Sequence, residues 1–149
     1  YPDTVSEIEM LETHQSVSPL DSIVPVVSVR DIAAMTARVR DVYVSGAVKE
    51  YTVAIGAATR EHPQVRLGAS PRALLQLLRA SKARAALEGR DFVLPDDVGR
   101  LAGSVLPHRL ILERKALSSG ETPASLLSAI LAKVPVPRPP AARPGLART

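Results

Sequence analysis

Along most of this chain, apolar residues recur at intervals of three and four, the period of a helix with one buried face. Val5, Ile8, Met10 and Leu11 mark a short amphipathic helix over about residues 4–14. A connector broken by Pro19 and Pro25 follows over about 15–27. Ser28, with Asp31 three residues on, has the form of a capping-box variant. The helix it opens, about 29–42, carries Ile32, Met35, Val39 and Val42 as a core-facing stripe. Ser45 caps a third helix, about 46–61, with Val48, Tyr51, Ala54, Ile55 and Ala58 on its apolar side. His62-Pro63 ends it, because a residue before proline is driven out of the helical region.

Gly68 marks a turn, Ser70 caps the next helix and Pro71 takes its first position. This helix, about 71–88, contains Leu74, Leu75, Leu77 and Leu78 and stops at Gly89, the expected glycine after a helix end. Phe92-Val93-Leu94 reads as extended. Pro95-Asp96-Asp97-Val98 starts a fifth helix with two carboxylates in its first turn, although Leu94 cannot cap it as Ser or Thr would. Leu110-Ile111-Leu112 is a second extended candidate that could pair with 92–94. Thr122-Pro123 begins a last helix, about 123–133. The expected fold class is all-α: a helical bundle with room for one small two-stranded β element. Residues 1–27 are then a connector with a short helix and 28–134 a helical domain. Residues 135–149 form a Pro/Arg-rich tail, expected to be disordered or partly polyproline II.

Composition supports this picture. Hydrophobic residues make up 46% of the 149 but aromatics only 3%, so the core is aliphatic, as helices packed through Leu, Ala, Val and Ile require. No cysteine is present, which excludes disulfides, thiolate metal sites and a Cys nucleophile and fits a reducing compartment. No apolar run is long enough to span a bilayer, and the N-terminus lacks the order of a signal peptide. The chain therefore reads as cytoplasmic, with no membrane partner. It opens with Tyr1 rather than Met, as a fragment or processed product would. The net charge of +4 suggests nucleic acid less than it first promises: without Arg138, Arg143 and Arg148 of the tail it is +1.

Catalytic chemistry is not legible. There is no Gly-rich phosphate loop and no Gly-x-Ser-x-Gly elbow. His14, His62 and His108 lie far apart and suit surface or capping roles, not a metal site. Asp96 and Asp97 are neighbours whose side chains diverge around a helix, and they read as helix-start acids. One residue stands in an unfavourable place. Arg72 is a cation in the first turn of a helix, where partial positive charge favours an acid. A bound anion would reverse that sign, joining the helix end and the guanidinium on phosphate oxygens, and Gly68 and Ala69 are slim enough to admit a large ligand. By chemistry alone, an exposed arginine whose head group leans into water at little cost is the simpler reading.

The stretch T-R-E-H-P-Q-V-R-L-G-A-S-P-R-A, Thr59 to Ala73, resembles the sensor 2 region of MoxR AAA+ ATPases. Similar likenesses are the opening Tyr1-Pro2-Asp3 with Glu7, Pro19-Leu20, Val44-Ser45 and G-R-D-F-V-L-P-D-D-V (Gly89 to Val98). Pro107 to Leu110 and the closing V-P-V-P complete a resemblance over residues 1–137. It implies that 28–134 are the helical lid of an AAA+ ATPase and that 1–27 lead to it from an N-terminal α/β ATPase core. It implies that Arg72 is the sensor 2 arginine, reaching the γ-phosphate of ATP held by that core, with Gly68, Ala69 and Ser70 near the phosphates. ATP with Mg would serve the parent ATPase; none is expected in the isolated chain, which should hydrolyse no ATP. Partners would be the chain's own ATPase core and neighbouring subunits of a ring, usually a hexamer. Proteins with von Willebrand factor A domains would be clients of a chaperone-like activity.

Two other classes are weighed beside it. Arg72, Arg79, Lys82, Arg84 and Arg90 make the fourth helix basic, with Arg60 and Arg66 before it, which suggests a helix-turn-helix nucleic-acid module. Against that, these charges read as spread around the helix, and few aromatics are available to stack on bases. Pro137, Pro139 and Pro140 would suit a polyproline-binding groove if the tail is a peptide ligand, but a solvated terminus explains them as well.

Overall fold

The computed structural model describes residues 1–13 and 23–137. Residues 14–22, with His14 and most of the connector, and the tail from 138 lie outside the described residues. In order, the elements are α1 (Thr4–Thr13), α2 (Val29–Asp41), α3 (Gly46–Glu61), β1 (Val65–Leu67), α4 (Pro71–Leu87) and α5 (Pro95–Val105). A 3₁₀ turn (Pro107–Arg109), β2 (Ile111–Leu112), α6 (Arg114–Ser118) and α7 (Pro123–Leu131) complete them. Helices dominate, and the one small sheet among the described residues pairs β1 with β2. None of these helices is long and apolar enough to cross a membrane.

The chain divides into two compact units, with the boundary between Met35 and Thr36, inside α2. In the first, α1 starts with Ser6 N–H donating to Asp3 Oδ1 at 2.8 Å. The capping box at α2 forms as the spacing predicts: Asp31 N–H donates to Ser28 Oγ and Ser28 N–H to Asp31 Oδ2, at 3.1 and 2.9 Å. The stripe expected to face the core does not do so. Ile32 and Met35 are about half exposed, at 49% and 50%, and only Val42, just past the helix, is buried. Periodicity specifies a face to be covered, not what covers it.

The second unit has a continuous aliphatic core around Ile55, Leu77, Val98, Leu106 and Leu127. Helix α4 packs on α5 and α3, and α7 closes the bundle against α3 and α5. The buried side of α3 is Val48, Tyr51, Thr52, Ile55, Gly56 and Thr59, while Ala54 faces outward. It is thus turned from the predicted stripe toward small residues, because Leu74 of α4 sits where a side chain at Gly56 would stand. Of the four leucines at 74, 75, 77 and 78 of α4 only Leu74 and Leu77 are buried, beside Ala73, Ser81 and Ala85, and Leu75 is exposed. Gly89, at φ 72°, ends the helix in the left-handed conformation. Arg90 N–H donates to Ala85 O and Gly89 N–H to Ala86 O, the two closures of a Schellman motif.

The strand pairing differs from expectation. Ile111 and Leu112 pair antiparallel with Leu67 and Val65, not with 92–94. Phe92 instead bridges Tyr43 in parallel, with Tyr43 N–H on Asp91 O at 2.7 Å and Val93 N–H on Tyr43 O at 3.0 Å. Both β contacts join segments distant in sequence, where local pattern carries no pairing information.

Candidate functional site

The sequence singles out the start of α4, and the structure shows how that start is held. Ser70 Oγ accepts from Ala73 N–H at 3.3 Å, and Leu74 N–H donates to Ser70 O. Pro71 has no N–H to offer. The Arg72 N–H is then the first-turn donor without a partner among the described residues, and the Arg72 guanidinium has no hydrogen bond or ion pair there either. No acidic residue stands in this first turn, and Arg72 is exposed.

The loop before Arg72 is fastened to the end of α3. Thr59, fully buried, donates to Gly56 O at 2.7 Å and accepts from Ala69 N–H at 2.9 Å. Arg60 Nη1 donates to Ala69 O at 2.7 Å. Gly68 lies so close to Arg60 that a Cβ there would be 2.7 Å from the Arg60 Cα and N. Its lack of a side chain is thus required inside the fold, whatever ligand approaches. Gly68→Ala is expected to cost about 1–3 kcal/mol, read by chemical denaturation. Wild-type stability would show that this loop moves freely. Nothing in the sequence signals that Thr59 and Arg60 hold this loop.

The far end of α4 is fastened as well. Asp97, 2% exposed at the third position of α5, receives both arms of the Arg90 guanidinium at 2.8 Å. Arg84 Nε lies 3.4 Å from Oδ1, and Glu88 joins Arg84 and Arg90 on the surface. Asp97 Oδ2 also accepts from Leu94 N–H at 2.8 Å, so the capping expected to be missing at Leu94 is supplied from the helix side. Burial pushes the Asp97 carboxyl up, but the Arg90 hydrogen bonds, the Leu94 N–H and the charges of Arg90 and Arg84 outweigh it, so the group sits below the usual carboxylate range. The two adjacent acids do diverge: Asp96 is exposed.

These pairings redistribute the basic helix. Arg84 and Arg90 are taken up by Asp97 and Glu88, and Arg60 by Ala69. Arg72, Arg79 and Lys82 share one stripe of α4 with Leu75, so three of the charges that read as scattered are aligned. Beside the stripe runs a groove of about 600 Å³, lined by Thr36, Val39 and Arg40 of α2 and by Leu75, Leu78, Arg79 and Lys82. Lys82 Nζ donates to Arg40 O at 2.7 Å across it. Among the described residues no group of His, Asp or Glu could hold a metal ion.

A family model described as the AAA lid domain matches residues 57–130. The chain is 36% identical over 137 residues to the uncharacterized protein YeaC of Bacillus subtilis, covering 92% of this chain and 43% of that protein. It is 35% identical over 105 residues to the chaperone MoxR1 of Mycobacterium tuberculosis, covering 64% and 28%. To protein MoxR of Paracoccus denitrificans it is 43% identical over 79 residues, covering 49% and 22%. The chain thus spans less than half the length of these curated relatives. The crystal structure of a proposed ATPase from Cytophaga hutchinsonii superposes with a TM-score of 0.78 at 28% identity, over 93% of this chain and 44% of that one.

Proposed function

The chain is an AAA lid domain of the MoxR type, and from that premise we propose that it reports the nucleotide state of an ATPase core through Arg72. The observation that carries this is a guanidinium and a backbone N–H, both without a partner among the described residues, at a helix tip that has no acid in its first turn. Such a tip favours an anion, and the γ-phosphate of ATP is the anion an ATPase core would present. The residues present fit phosphate oxygens and nothing else about the cofactor's metal: Mg would be held by the core.

In this reading Arg72 donates charge-assisted hydrogen bonds to the terminal phosphate, and its backbone N–H adds a third donor. The aliphatic floor of Val39, Leu75 and Leu78 begins one turn from Arg72 and extends the same face, so the base end of a nucleotide has apolar surface to lie on. ATP supplies the phosphate whose loss on hydrolysis removes these bonds. The lid then favours one position with ATP and another with ADP, and a differential contact of about 3 kcal/mol shifts a two-state equilibrium by more than a hundredfold. Assembly into a ring with neighbouring subunits and a chaperone-like role toward client proteins belong to the same proposal, on the strength of the MoxR relatives.

The reading is tested in the ATPase polypeptide that carries this lid. Fluorophores on α5 and on the core are expected to report a different distance with a non-hydrolysable ATP analogue than with ADP. Equal distances in the two states would overturn it.

A further inference from the structure

Arg72 is exposed and its side chain has no hydrogen bond or ion pair among the described residues, so its aim depends on how the start of α4 is held. That start is held by two side chains on one residue. Thr59 Oγ1 takes the Ala69 N–H at 2.9 Å while donating to Gly56 O, and Arg60 Nη1 takes the Ala69 carbonyl at 2.7 Å. Both polar groups of the Ala69 peptide segment are thereby tied to the last turn of α3, three residues before Arg72. Gly68, seated against the Arg60 backbone, closes the remaining freedom of the loop. At an ordinary helix start a capping side chain takes one of the free N–H donors, and Ser70 already does so here. The Thr59 and Arg60 bonds add nothing to the helix's own hydrogen bonding; they fix where its tip points.

We infer that Thr59 and Arg60 form a clasp on Ala69 and are positioning residues for Arg72, setting the discrimination between nucleoside triphosphate and diphosphate. This rests on the reading of Arg72 as a phosphate sensor. A misplacement of about 1 Å at the tip is enough to lose well-aligned hydrogen bonds. The clasp works only on the residue that meets the terminal phosphate, so loosening it weakens ATP and spares ADP. A purely structural role would weaken both alike.

The experiment measures ATP-analogue and ADP affinities in the ATPase polypeptide carrying this lid, for Arg72→Ala, Thr59→Val, Thr59→Ser and Arg60→Met. Thr59→Val keeps the shape and removes the hydroxyl; Arg60→Met keeps an aliphatic stem and removes the guanidinium. Thr59→Val and Arg60→Met are each expected to cut the ATP-over-ADP affinity ratio about tenfold, the size of one hydrogen bond to a charged group, with ADP affinity unchanged. Thr59→Ser is expected to restore the ratio, and Arg72→Ala combined with either defective variant to lower it no further than Arg72→Ala does alone. Should Thr59→Val fail to fold, Arg60→Met at an exposed position carries the test. A ratio cut by Arg72→Ala but untouched by Arg60→Met and Thr59→Val would overturn the clasp and leave the sensor standing. Equal losses for ATP and ADP would also overturn it. A ratio indifferent to Arg72→Ala would instead remove the sensor reading on which the clasp depends.

Discussion

Asp97→Asn is expected to lower the stability of the bundle by about 2–3 kcal/mol at neutral pH, seen as a fall of about 10 °C in thermal midpoint. The carboxylate is 2% exposed and holds two arms of Arg90, a longer contact to Arg84 and the Leu94 N–H. Asparagine keeps one acceptor and turns a donor toward a guanidinium, leaving a half-buried cation partly unpaired. The cost stays below the upper range for buried pairs because Arg90 and Arg84 are themselves 19% and 29% exposed. Acid gives an independent reading. The folded Asp97 carboxyl is held below its ordinary value, whereas in the unfolded chain it titrates near pH 4, so the unfolded state binds the proton first. The stabilisation is therefore complete above about pH 5 and is lost as the pH falls through the depressed folded value. Asp97→Asn should show no such loss from this position. A variant as stable as the parent at pH 7, with the same acid profile, would contradict this account of how α4 and α5 are joined.

What could be read from the sequence was what neighbours decide. Ser45, Ser70 and Thr122 cap α3, α4 and α7 through their own hydroxyls, as their positions before an apolar run require. Gly89 takes the positive φ that ends α4. What escaped depended on residues far away or on backbone geometry. The partner of Ile111-Leu112 is β1, more than forty residues earlier, and two or three residues of strand carry too little pattern to choose it. Helix α6 spans only Arg114–Ser118 and closes on Gly120 at φ 83°, too short for periodicity to show. The Asp97 cluster was half visible: an acid at the third helix position was noted, but its pairing with Arg90 needs the turn between them. At the candidate site, Arg72 stands out in the sequence because its charge contradicts its position. Thr59 and Arg60 were missed because nothing in a Thr-Arg pair announces that both will bond one distant residue.

The two fastenings of α4 explain why a stable bundle can carry an unfavourable residue. The helix is 17 residues, or about 25 Å, long. One end is joined to α5 through Asp97 and the other to α3 through Ala69, so the tip with Arg72 is presented by a rod held at both ends. Stability is supplied by the buried Leu74 and Leu77 and by the paired charges at the far end of the helix, not by the exposed Arg72. On that account the stability of the bundle does not require the Arg72 side chain.

That separation sets opposite signs for the two consequences of Arg72→Ala. In the isolated chain, removing a cation from a helix start is expected to leave stability unchanged or raise it by a few tenths of a kcal/mol, and Arg72→Glu to raise it further, at low salt most clearly. In the ATPase polypeptide carrying this lid, Arg72→Ala is expected to reduce ATP turnover about a hundredfold, the scale of losing one preorganised donor to developing phosphate charge. Arg72→Lys should recover part of it, since a point charge remains but the two-armed geometry does not. Arg72→Glu should recover none, because a carboxylate repels the phosphate it faces. Thermal unfolding of the chain and steady-state hydrolysis by the parent measure the two effects separately. If both fell together, Arg72 would be a packing residue of the bundle; if turnover were unchanged while stability rose, the helix tip would have no anion to meet.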